Sequence, residues 1–184
     1  MIQGYAMIDL QFIPIRSPDD LLNFDCGNAS INILVKQSYL PQLTKQSKTF
    51  QISVGGHRVG AYSLSMATIN AEDGPPSLAN YYEGAPHFCA VVLHFIAIEK
   101  SFQDLGLGTK LLGLIANQVR KLSDSWPVRI LYLDALSDKI GWYKANGFQL
   151  FAESQNRAES TVPMYLDLLS VAEEHALQLL AESI

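Results

Sequence analysis

The chain has 184 residues, 48% of them hydrophobic and 17% charged, with a formal net charge of −5 at neutral pH. That length and balance fit a folded domain with a sizeable core and exclude a disordered chain. No apolar run reaches the roughly 18 residues of a spanning helix, and the two cysteines, Cys26 and Cys89, form no metal or disulfide pattern.

The N-terminus lacks the basic start and apolar core of a signal peptide. The expected setting is therefore reducing and cytoplasmic, with no membrane involved. The charge is uneven along the chain. Residues 1–25 carry −3, residues 26–152 carry +3 and residues 153–184 carry −5. No Asp or Glu occurs between Cys26 and Ala71, where Lys36, Lys45, Lys48 and Arg58 fall. These four mark either a face suited to a polyanion or a plain solvated surface.

Ile8 to Ile15 reads as a first strand, closed by Pro14 and the turn Ser17-Pro18-Asp19-Asp20. Asp19 to Leu22 begins a short helical turn. Asn28 or Ser30 is placed to cap a helix with Ile31, Leu34, Val35 and Tyr39 on one stripe, and Pro41 interrupts it. Thr49 to Val54 and Arg58 to Met66 form a hairpin about Gly55-Gly56, with Tyr62, Leu64 and Met66 sharing a face. Asn70 to Pro86 reads as a loop of about 17 residues, longer than ordinary connections and placed where a substrate could come in.

Ala90 to Ile98 is too continuously apolar for a half-exposed strand and belongs in the middle of a sheet. Lys110 to Leu122 is patterned as a helix, with Leu111, Ile115, Val119 and Leu122 on one side. Val128 to Ala135 is a second buried strand, and Asp138 to Asn146 a short helix stopped by Gly147. Phe148 to Ala152 and Met164 to Leu168 read as a closing pair of strands, and Leu169 to Ile184 as an acidic helix. The order predicts one mixed α/β sheet.

Between the central strand and the long helix lies Phe102-Gln103-Asp104-Leu105-Gly106-Leu107-Gly108-Thr109. Strand, glycine loop and helix in that order build an anion site from backbone: glycines allow close approach, and the first helical turn has N–H groups without internal partners. The same letters would also serve a tight turn whose glycines are there for packing.

Gln103-x-x-Gly106-x-Gly108, with Ile96 to Phe102 before it and Trp142-Tyr143-Lys144-Ala145-Asn146-Gly147-Phe148 later, resembles the two conserved motifs of the GNAT acyltransferase superfamily. Phe24-Asp25-Cys26-Gly27 followed by Ile31-Asn32, and the hairpin ending Val59 to Ser65, resemble the GNAT toxins of bacterial toxin–antitoxin pairs. The similarity spans about Phe24 to Leu168. Leu105 departs from the pattern, since many relatives place a small or basic residue there. The acidic balance and the C-terminal helix depart from it too.

The resemblance implies a central mixed, mostly antiparallel β-sheet flanked by helices. Residues 1–168 would form the acetyltransferase domain, and 169–184 an extra helix of the same domain. It implies acetyl transfer from acetyl-CoA to a primary amine, with aminoacyl-tRNA as acceptor, an antitoxin as partner, and a homodimer, to which the last helix would contribute unless it covers a sheet edge. Amides of Gln103, Asp104, Leu105, Gly106, Leu107, Gly108 and Thr109 would hold the pyrophosphate, with the Asp104 side chain turned away. Backbone of Phe95, Ile96, Ala97 and Ile98 would line the pantetheine and polarise the thioester carbonyl.

Tyr143 would give a proton to the leaving thiolate. With a tyrosine pKa of about 10 and a thiol of about 8.5, that requires a lowered phenol pKa or a hydrogen bond that stabilises the thiolate. No general base is legible, Glu99 and His94 being the candidates near the strand. At neutral pH a lysine amine is free in only about one molecule in 2,500, an α-amine in roughly one in ten, so a site without a strong base suits an α-amine. A small-molecule amine or protein terminus as acceptor, or a non-catalytic acyl-CoA-binding module, are the alternatives.

Overall fold

A computed structural model describes residues 10–70, 87–151 and 160–181. Its strands are β1 (Gln11–Pro14), β2 (Lys48–Val54), β3 (His57–Asn70), β4 (His87–Ile98), β5 (Ile130–Leu136), β6 (Gln149–Leu150) and β7 (Thr161–Asp167). They hydrogen-bond in the order β1-β2-β3-β4-β5-β7-β6. The helices are α1 (Ala29–Gln37), α2 (Tyr39–Leu43), α3 (Leu107–Ser123), α4 (Ile140–Ala145) and α5 (Val171–Ala181). β4 pairs parallel with β5, while β1–β2, β2–β3, β5–β7 and β6–β7 are antiparallel. The expected mixed, mostly antiparallel sheet with flanking helices is the observed one. No helix among the described residues is long and apolar enough to cross a membrane.

Residues 10–65 and 94–108 make one compact unit; residues 66–70, 87–93, 109–151 and 160–181 make a second. In the first, Gly55-Gly56 closes the β2–β3 hairpin as expected, pairing Val54 with His57. Its core gathers Ile15, Leu21, Phe24, Val35, Ala61, Phe95 and Ala97, with Ile31 and Tyr39 packed against them. Asn28, rather than Ser30, caps α1: its side chain accepts from the Ile31 amide at 3.1 Å. The stripe also differs from expectation. Ile31, Val35 and Tyr39 face the core, but Leu34 is half exposed, because residues three apart drift off the face that residues four apart keep. The helix breaks at Ser38, ahead of Pro41: the proline cannot donate to the Gln37 carbonyl and its ring crowds it, and Ser38 Oγ bonds back to the Val35 carbonyl at 2.7 Å.

In the second unit, β5 and β7 pair over their whole length, from Ile130↔Asp167 to Leu136↔Thr161. Phe88, Ala90, Ile130, Phe151 and Tyr165 form a core there. Leu111, Ile115 and Val119 of α3 are buried as the pattern required, and Leu112 with them; Leu122 is only half-buried. Tyr62, Leu64 and Met66 do not share one environment: Tyr62 is fully buried and Met66 exposed.

Several boundaries moved. β3 runs on to Asn70 and β4 starts at His87, while β5 begins two residues after Val128. β6 is two residues where five were expected, and β7 starts at Thr161 instead of Met164. Asp138 to Asn146 divides into a 3-10 turn, Ser137–Lys139, and α4. α5 starts at Val171 because Ser170 and Glu173 close a capping box, the Ser170 amide donating to the Glu173 carboxylate at 2.7 Å. Ile8 and Asp9 of the first strand, the residues 71–86 of the long loop, Ala152 and residues 182–184 lie outside the described residues.

Candidate functional site

The stretch from β4 into α3 is built from the first unit's backbone. The burial of β4 alternates here: Phe95 and Ala97 point into the core, and Ile96 and Ile98 are half-buried. Those side chains serve packing, so a ligand along this strand would meet backbone. Gly60 of β3 is pressed against it: a Cβ there would sit 2.5 Å from the Ala97 carbonyl oxygen, closer than any real contact. The Glu99 amide then donates to the Val59 carbonyl at 2.9 Å, and a 3-10 turn, Lys100–Phe102, leads on.

The loop that follows turns on two left-handed residues, Asp104 (φ 61°) and Gly106 (φ 71°). Gln103, Asp104, Leu105 and Gly106 are all exposed, and a Cβ built at Gly106 meets nothing within 4 Å. Gly106 is thus demanded by its backbone angle rather than by crowding, which disfavours the packing explanation. α3 begins at Leu107, three residues earlier than its sequence pattern suggested. Leu107 is buried and anchors the first turn, so Gly108 and Thr109 are helical. Their amides belong to the end of a 17-residue helix, where N–H groups lack internal partners and the dipole favours an anion.

The Gln103 side chain is not turned to solvent for a ligand. Its Nε2 donates to the Cys26 carbonyl at 2.8 Å and to the Ile98 carbonyl at 2.9 Å. Glu99 is also engaged. It receives Arg58 Nε and a second guanidinium nitrogen on Oε1, each at 2.8 Å, and the Asp25 amide on Oε2 at 3.3 Å. With both oxygens taken, this carboxylate acts as a brace of the fold. His94 Nε2 lies 2.8 Å from Ser65 Oγ on an exposed part of β4. Arg58 does not belong with the solvent-facing cations: it bonds Glu99 and the Asp20 carbonyl, and its guanidinium sits 5.6 Å over the Phe24 ring. Lys36, Lys45 and Lys48 are exposed. His57, His87 and His175 are exposed as well, and among the described residues no cluster of His, Cys, Asp and Glu could hold a metal.

Tyr143 is set in the second unit by α4 and its end. Gly147 (φ 89°) turns the chain so that the Phe148 amide donates back to the Tyr143 carbonyl at 3.1 Å. Phe148 is thereby placed edge-on to the Tyr143 ring at 5.5 Å, with Trp142 on it at 4.7 Å. This is the physical content of the four- and five-residue spacing. Trp142, which sequence reasoning left without a role, donates its Nε1–H to Thr109 Oγ1 at 3.1 Å and so ties α4 to the first turn of α3.

Burial pushes the Tyr143 phenol up to about 12. Of the two conditions set for a role toward the leaving thiolate, a lowered phenol pKa is not met, since nothing cationic offsets the desolvation; donation of a hydrogen bond is the other. The hydroxyl has no hydrogen-bond partner among the described residues, yet it is not sealed off. The phenol stays neutral at physiological pH and keeps a proton to donate.

No protein-family model and no curated protein sequence matches the chain. Solved structures do. "AtaTR bound with AcCoA" is 21% identical, covering 95% of this chain and 99% of that one, with a TM-score of 0.70. AtaT complexed with acetyl-methionyl-tRNAfMet is 20% identical over 94% of this chain and 99% of its own, at a TM-score of 0.71. A tyrosine-to-phenylalanine variant of the AtaT toxin, bound to the C-terminus of the antitoxin AtaR and acetyl-CoA, is 20% identical over 87% and 94%, at 0.65. Likeness of this extent at this identity establishes architecture: the chain has the GNAT fold of these toxins.

Proposed function

We propose that the protein transfers the acetyl group of acetyl-CoA to a primary amine in the cytoplasm, specifically the α-amine of an aminoacyl-tRNA, and that an antitoxin restrains it. The observation that carries this reading is the junction of β4 and α3: an exposed, doubly left-handed glycine loop opening onto a helix start, in a fold shared with toxins solved with this donor. Nothing lies within 4 Å of a Cβ built at Gly106, which leaves the loop backbone open to the approach of a diphosphate. Amides of Asp104 to Thr109 would hold it, and backbone of Phe95 to Ile98 would lie along the pantetheine arm. The Asp104 carboxylate is the poor fit.

The donor supplies an acyl group activated as a thioester. The amine lone pair makes the new C–N bond, the C–S bond breaks with its electrons left on sulfur, and the proton lost by nitrogen goes to sulfur or solvent. Passing a proton from a phenol near 12 to a thiolate of about 8.5 is uphill by about 5 kcal/mol. Tyr143 therefore keeps its proton and stabilises the sulfur anion by donating a hydrogen bond. With Glu99 held by Arg58, no strong base is assigned, which suits an α-amine, free in roughly one molecule in ten at neutral pH, better than a lysine.

AtaT has been solved with an acetylated aminoacyl-tRNA, and the exposed Lys36, Lys45 and Lys48 support a polyanionic acceptor here. The withdrawal of Arg58 into the fold favours a second reading, acetylation of a small amine. Incubation with acetyl-CoA and charged total tRNA, followed by mass analysis of the aminoacyl groups, separates them. The proposal predicts a gain of one acetyl group on at least one aminoacyl species. Turnover of polyamines or N-terminal peptides with none on tRNA would replace it by the second reading.

A further inference from the structure

We infer that Asn32, on α1 and remote in sequence from the loop, is a positioning residue for the anion loop, acting through Cys26 and Gln103; the inference rests on the donor site proposed above. Asn32 Oδ1 accepts two hydrogen bonds from Cys26, one from its amide at 2.9 Å and one from its thiol at 3.1 Å. Its Nδ2 donates to Asp25 Oδ1 at 2.7 Å, which also accepts the Gly27 amide at 2.8 Å. The peptide between Asp25 and Gly27 is thus clamped from α1 on both sides. That clamped segment offers two carbonyls to the chain entering the loop. Asp25 O accepts the Lys100 amide at 2.9 Å, and Cys26 O accepts Gln103 Nε2 at 2.8 Å. Gln103 immediately precedes the left-handed Asp104.

A side chain with both an acceptor and a donor end is needed at position 32, and the carboxamide meets that need. Without it the Cys26 carbonyl loses its fixed direction, Gln103 loses one of its two anchors, and the amides of 104–109 are free to sample other angles. An anion held by several amides at once is sensitive to such drift.

The test compares wild type, Asn32→Ala, Gln103→Ala and the double variant. Calorimetry with coenzyme A is expected to give a Kd about tenfold higher for each single variant and no further loss in the double. KM for acetyl-CoA should rise in step while kcat at saturation holds. A variant that merely folds less well would lose kcat at unchanged KM. Amide exchange of residues 104–109 without ligand should quicken in Asn32→Ala with α3 from Leu111 onward unaffected. Unchanged exchange in that loop, or a full additive loss in the double variant, would overturn the inference. Because Gln103 is exposed, its variant stays folded if Asn32→Ala does not. If wild type itself binds no coenzyme A, the donor site fails, and the exchange comparison still decides the positioning role.

Discussion

Replacing Tyr143 by Phe removes one oxygen and little else. The ring contacts with Trp142 and Phe148, at 4.7 and 5.5 Å, are kept, and the hydroxyl has no partner among the described residues to be orphaned. Stability should therefore change by no more than about 0.5 kcal/mol. Catalysis should change far more. A donor aimed at charge that develops in a dry site is worth about 3–4 kcal/mol, so kcat should fall by about 100- to 1,000-fold with KM for acetyl-CoA steady. The assay is the initial rate of thiol release with charged tRNA as acceptor.

A second arm tests the role itself. If Tyr143 stabilises a sulfur anion, the penalty of the phenylalanine should shrink when the donor is a thioester of a more acidic thiol, because less charge demand remains on sulfur. A variant with full activity would refute the reasoning, and so would a penalty independent of the leaving thiol.

Asp104→Gly removes both a side chain held at φ 61° and a negative charge beside the proposed phosphate site. It should raise stability by about 1 kcal/mol and tighten coenzyme A, by thermal melting and calorimetry; weaker binding would show that the carboxylate is used. Gly60→Ala drives a methyl to 2.5 Å from the Ala97 carbonyl. It should cost about 3 kcal/mol or prevent folding, read by urea unfolding; a neutral outcome would discredit the close approach of Gly60 to the Ala97 carbonyl. Burial pushes Tyr62 and Tyr143 up to about 12 and raises Tyr132 and Tyr165 as well. The unfolded chain therefore ionises first, and stability is intact below a pH of about 10 and falls as pH rises toward 12. The fully buried Tyr62 alone contributes about 3 kcal/mol to that fall, and urea midpoints that stay level across this range would contradict it.

Local order was readable where one signal dominated. The stripe of Leu111, Ile115 and Val119 is the observed buried face of α3, and the Tyr143 to Gly147-Phe148 spacing encodes an aromatic stack closed by a left-handed glycine. The start of α3 was not readable, because Leu107-Gly108 has the composition of a loop and becomes helical through the burial of Leu107. On α1 four apolar residues, Ile31, Ile33, Leu34 and Val35, crowd one turn, so periodicity alone could not choose the inward face. Long-range pairing was silent too. Arg58 looked like a surface cation until Glu99, 41 positions away, took it. The raised pKa of Tyr143 comes from desolvation, which arises only once the chain has packed around it.

Titration of purified protein with coenzyme A by calorimetry tests the central claim most directly, because everything assigned to the loop requires a diphosphate against bare amides. The account predicts a saturable exothermic site in the micromolar range, tightened by Asp104→Gly. Absence of any heat up to millimolar coenzyme A would contradict it.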